Sequence, residues 1–185
     1  MLYNHSITSM LSKVFKLLFL SVTLIILYGL CRVVFVYFNY EVLHLSTVSD
    51  HLLLFFYGLR FDISGILLSN ALFTILYLLP IEKYLSKIYW HQILKWIFLT
   101  VNSFFIFINF VDAIYYPFVK KRAQSDMFLF ANGEKGQEVF GLIPTFALEY
   151  WYVWVLFLVS AFLLWKSYDQ ILKQSQGTHF VKHTY

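Results

Sequence analysis

Arg60 and Asp62 stand two residues apart inside a run that is otherwise uncharged from Leu52 to Ile81. Arg32 and Asp112 interrupt two other apolar runs. An ionised group is costly in hydrocarbon, so each of the four requires a partner or a route to water. Residues two apart on a helix point to opposite sides, so Arg60 and Asp62 cannot neutralise one another. Asp62 and Asp112 make an acid–base pair only if both reach one substrate and their pKa values are held apart. The simpler use of two cations and two anions is mutual neutralisation. The expectation is that Asp62 and Asp112 meet Arg32 and Arg60 across a bundle, because a paired ion is less costly at that depth than a lone one. The alternative is that each side chain snorkels separately to the headgroups.

Other chemistries find little support. There is no glycine-rich phosphate loop and no nucleophile elbow. His179 and His183 have i, i+4 spacing but lie in a polar tail without a carboxylate or thiol nearby, and His44, His51 and His91 fall near span ends. No metal or cofactor site is expected in the chain. A single cysteine, Cys31, excludes an intrachain disulfide and reads as a small buried hydrophobe.

The surrounding sequence has to hold these groups in a membrane. Hydrophobic residues make up 60% of the chain and charged ones 13%, against about 25% charged in ordinary soluble domains. The net charge of +4 comes from residues that flank apolar runs rather than line one solvated face. That pattern sets membrane orientation and argues against a nucleic-acid partner. The fold class expected is all-α: a polytopic membrane bundle of four transmembrane helices with short interfacial helices.

The spans read as 17–36, 62–81, 96–116 and 150–165, each near the roughly 20 residues that a crossing needs. Residues 51–59 are either an interfacial helix or the opening turns of the second span. On that span Asp62, Gly65 and Ser69 share a face, and Gly65 with Ser69 invites close helix approach. On the third, Asn102, Asn109, Asp112 and Tyr116 form a polar stripe that should face other helices, and Pro117 should end the helix. Residues 119–149 read as an extracytoplasmic interfacial loop. It would hold a short helix begun by Ser125, a turn at Asn132-Gly133 and an amphipathic helix bent at Pro144. Residues 166–185 read as a polar cytoplasmic tail. Lys13, Lys16, Lys83, Lys87, Lys95, Lys166, Lys173 and Lys182 place both termini inside, against Lys120-Lys121-Arg122 and Lys135 in the outer loop. Arg32, Arg60, Asp62 and Asp112 then gather at the outer leaflet.

Taken in order, Tyr57-Gly58-Leu59-Arg60-Phe61-Asp62, Asn109-Phe110-Val111-Asp112 with Tyr115-Tyr116, and Lys121-Arg122 resemble the N-terminal membrane region of bacterial lipoteichoic-acid-synthase-like proteins. These are membrane sulfatases of the alkaline phosphatase superfamily, and the resemblance covers about residues 10–165. It implies a multi-helix anchor, generally of five spans, in the bacterial cytoplasmic membrane. An extracytoplasmic catalytic domain would follow, moving phosphoglycerol or a similar headgroup, or hydrolysing sulfate or phosphate esters. That domain's nucleophile and divalent metal map onto no residue here, so the chain is expected to be the anchor part, without a cofactor and inactive alone. The residues carried over are Arg60, Asp62, Asn109, Asp112 and Arg122. With Arg32 and Lys121 they would form an outer-leaflet polar cluster or contact a lipid headgroup. The implied partners are membrane lipid, an anionic phospholipid headgroup and a separate catalytic domain. A different class of function is a self-sufficient four-helix protein serving as an assembly partner or transport subunit.

Overall fold

A computed structural model describes residues 2–43, 47–79, 86–119 and 148–177. Those residues form six helices: α1 (Leu2–Phe38), α2 (Tyr40–Leu43), α3 (Val48–Ser69), α4 (Ala71–Leu78), α5 (Lys87–Val119) and α6 (Trp151–Gly177). No strand occurs among them. Four helical stretches are long and apolar enough to cross a membrane: Met10–Phe38, Val48–Ser69, Ile88–Tyr116 and Trp151–Ile171. The protein is an all-α, multi-pass membrane bundle.

α1 is the centre of the bundle and packs against α3, α4, α5 and α6. Its buried residues Leu20, Leu24, Leu27, Cys31 and Phe35 recur three or four apart, which puts them on one stripe of a 3.6-residue helix. Its hydroxyls do not break it, because Ser21 and Thr23 donate to the carbonyls of Leu17 and Phe19 in the preceding turn. α5 answers with Trp90, Leu94, Phe98, Asn102, Ile106 and Phe110, four apart throughout, all buried. Near one end Phe73 of α4, Phe98 of α5 and Tyr168 of α6 form a ring cluster, with centroids 4.9–6.4 Å apart. At the other end Phe38 stacks on Tyr152 at 5.6 Å and Phe35 meets Tyr116 edge-on at 5.1 Å.

Several helix limits differ from those read off hydropathy. α3 starts at Val48, so residues 51–59 are the opening turns of the second span. Thr47 fixes the start: its hydroxyl accepts from the Asp50 amide, and Asp50 accepts in return from the Thr47 amide. The second span is also broken once, at Asn70, between α3 and α4. α6 continues to Gly177, well into the expected tail, because nothing there breaks a helix before the glycine.

Pro117 does not end α5, which runs on to Val119. A proline inside a helix removes one backbone donor and leaves the carbonyl four residues earlier unpaired. Here that carbonyl belongs to Ala113, and the Asn39 side chain donates to it at 2.9 Å. The interfacial elements expected around Ser125, Asn132-Gly133 and Pro144 lie outside the described residues.

Candidate functional site: a charged cluster at one end of the bundle

Arg32 leaves α1 toward α3, where its Nη2 donates to Asp62 Oδ2 at 2.8 Å and its Nη1 donates to the Leu54 carbonyl at 3.3 Å. Both side chains are largely buried, 11% and 13% exposed. The Nη1 end of the guanidinium is pressed against α3 at Gly58, where a Cβ would coincide with it. Leu54, Gly58 and Asp62 are four apart, so one face of α3 supplies a carbonyl, a bare backbone and a carboxylate to a single arginine. Gly58 is required by that close approach rather than by its backbone angles.

Asp112 of α5 is buried at the same level. With Tyr28, Cys31, Arg32, Asp62 and Asn109 it borders a polar cavity of about 20 Å³, room for roughly one water molecule. Asn109 itself donates back to the Phe105 carbonyl of its own helix at 2.9 Å. Beside this cavity an open, mainly apolar groove of about 560 Å³ runs between α1 and α3. Its walls include Leu52, Phe56 and Leu59, the unsubstituted Gly29 lies at one end, and Arg32 with Asp62 forms its polar edge.

Of the four charges singled out in the sequence, the structure joins Arg32 to Asp62 and brings Asp112 alongside. Arg60 lies elsewhere. It is exposed, on the side of α3 turned away from Gly58 and α1, and it forms no ion pair with a described residue. The expected second pairing through Arg60 is therefore not the arrangement found, for the same geometric reason that kept it from Asp62: residues two apart leave a helix on opposite sides. Gly65 also departs from expectation. It is exposed with open space around it, so the close approach on α3 occurs at Gly58 instead. Lys121 and Arg122 lie outside the described residues.

The remaining polar stripe residues serve the packing. Asn102 is fully buried and exchanges two amide hydrogen bonds with Asn70, at 3.0 and 2.8 Å. Each asparagine also donates to a carbonyl of its own helix, Ile66 or Phe98. At the far end Lys95 donates to Asp169 at 2.7 Å and covers the Trp165 ring at 5.1 Å. Lys95 and Asp112 are 17 residues apart on α5, about 26 Å at the helical rise, close to the roughly 30 Å of a bilayer's hydrocarbon. The two charged levels thus lie about one membrane core apart.

Sequence reasoning missed three contributors. Gly58 was visible only as part of a motif, Asn70 only as a residue in an apolar run, and Asn39 as a residue just past the first span. The Thr47-x-x-Asp50 spacing was a readable capping signal for the start of α3. Among the described residues no three of His, Cys, Asp and Glu come together as a metal site. The cluster offers charge neutralisation, a polar cavity and an open groove. No family model, curated protein or solved structure matches the chain.

Proposed function

We propose that this chain is the membrane-anchor part of a lipoteichoic-acid-synthase-like phosphoglycerol transferase or membrane sulfatase, carrying none of that family's catalytic residues. It would lie in the bacterial cytoplasmic membrane with both termini inside. The observation that carries the reading is the bond from Arg32 to Asp62 across Gly58. The sequence element most like the family, Tyr57 to Asp62, is also the element on which α1 seizes α3. A short motif with that physical job suits an anchor, whose task is to hold a fixed outer surface under a catalytic domain. Arg60, exposed on the same element, is the residue we assign to an anionic phospholipid headgroup.

The DNA downstream of the Tyr185 codon tests the reading. A further apolar span followed by a metal-ligand-rich domain, in frame or after a shift, is the expected finding. An unrelated gene directly after a stop codon would instead favour a self-sufficient bundle acting as an assembly partner. Orientation is tested separately by labelling Asp50→Cys with a membrane-impermeant maleimide in intact cells. Cys31 is buried and should stay silent; labelling only after lysis would reverse the topology.

A further inference from the structure

The corner between α1 and α2 is built on one residue. The Asn39 amide donates to Phe35 O at 3.1 Å, and its carbonyl accepts from Val42 and Leu43 at 3.1 and 2.9 Å. Its side chain is fully buried, and both side-chain N–H groups are used: one on Phe35 O at 2.8 Å, one on Ala113 O at 2.9 Å. Because both neighbours are carbonyl oxygens, only the NH₂ end of the amide can face them. The Oδ1 end is buried and meets no donor among the described residues. Phe35, Val36, Ala113 and the half-buried Leu54 and Tyr116 form the cluster there.

The Ala113 carbonyl is the acceptor that Pro117 leaves unpaired. A proline in a helix interior normally marks a kink or a break, since it also crowds the carbonyl four residues back. In a membrane, freed backbone groups of this kind are re-satisfied by a neighbouring side chain or the helix distorts. We infer that Asn39 is a lock on a proline hinge in α5. Its amide replaces the backbone bond lost at Pro117 and holds the outermost stretch, Ile114–Val119, in line with the rest of the helix. The orphaned Oδ1 keeps the lock from being tight: the closed state satisfies α5 by leaving one acceptor of α1 unsatisfied. Released, Ile114–Val119 would swing as a unit about Ala113. The inference needs only the bundle itself and stands whether or not the anchor reading holds.

Hydrogen exchange in nanodiscs on a double-mutant cycle tests it. Pro117→Ala restores the missing N–H and so makes the lock redundant. Asn39→Ala alone should raise exchange of the Ile114–Val119 amides by about tenfold or more, as for local opening, while the amides around Phe98 stay protected. Asn39→Ala combined with Pro117→Ala should return those amides to the protection of Pro117→Ala alone. An equal rise in both backgrounds would overturn the hinge lock, since Asn39 would then act only on its own helix corner. No rise in either would overturn it as well. If Asn39→Ala fails to accumulate, accumulation of the double variant supports the lock and loss of both rejects it.

Discussion

Among the described residues an ion pair marks each end of the bundle, and the two are of nearly the same length, yet they do different work. Arg32 to Asp62 is 2.8 Å and Lys95 to Asp169 is 2.7 Å. The first is about half as exposed, 11% and 13% against 22% and 21%. More telling is what surrounds each. Of the two residues that α3 buries fully, Gly58 and Ile66, the first is the one the guanidinium covers, so the arginine sits in the closest contact between α3 and α1. α5 and α6 are already joined through Phe98 and Tyr168, whose rings lie 5.5 Å apart, and Lys95 has the Trp165 face as a second partner. Bond length says little about the worth of an ion pair. Burial decides it.

The comparison is broken most sharply at Asp62. Asp62→Ala removes the carboxylate that pairs the buried guanidinium, a change that costs about 3–5 kcal/mol when the charge is left uncompensated, and the packing of α3 on α1 should loosen. Unfolding by SDS in mixed micelles should show the loss. Arg32→Met with Asp62→Leu should recover most of it, because an apolar pair of similar volume is often neutral or stabilising. If Asp62→Ala costs no more than Lys95→Met, the two ends are equivalent and the contrast fails. Gly58→Ala attacks the same grip from the side, since its methyl group would occupy the place of the guanidinium. Displacing the end of a flexible side chain is cheaper than stranding a charge, and about 1–3 kcal/mol is expected, as for overpacking. Gly65→Ala, into open space, is the control and should be neutral or slightly stabilising through helix propensity.

How much of this was legible beforehand follows from what each residue needs. Span number and helical class could be read directly, because a 20-residue apolar run admits few structures in a bilayer. The inward facing of Asn102 and Asp112 was also readable, since a polar group on a membrane helix has one good place to go. Partner choice was not. Whether α3 turns Asp62 or Arg60 toward Arg32 of α1 depends on its rotation about its axis, which hydropathy does not encode. Arg60 turned outward because Gly58 and Ile66 face α1. The end of α5 was misread for a related reason: the rule that proline stops a helix is local, and Asn39, 74 residues earlier in the chain than Ala113, supplies the exception.

Between the two charged levels the Asn70–Asn102 clasp offers an intermediate case, neutral and buried. Asn102→Ala takes the donor from Asn70 Oδ1 beside the break between α3 and α4, while the Asn70 NH₂ keeps Ile66 O. Interhelical hydrogen bonds in membranes average about 0.6 and reach about 1.7 kcal/mol, so a loss in that range is expected in the same unfolding assay. Asn102→Asp would sharpen the result, because a carboxylate could accept from Asn70 but has no N–H to return to Asn70 or Phe98. A larger loss for Asn102→Asp than for Asn102→Ala is the expected order.

The smallest effect belongs to the Lys95 end, and salt is the variable that isolates it. Asp169→Asn keeps the shape of the side chain and removes its charge, so it tests the ion pair with little change in packing. At about one-fifth exposure the pair borders solvent, where such contacts contribute about 0.2–1 kcal/mol and are screened by ions. Asp169→Asn should therefore matter slightly at low ionic strength and hardly at all near 1 M salt, where the screening length falls to about 3 Å. Asp62→Asn, measured beside it, should lose nearly the same stability at both salt concentrations, because the pair is about half as exposed and is screened less. If instead the two variants respond to salt alike, the Arg32–Asp62 pair is solvated, and burial is not what separates the ends of the molecule.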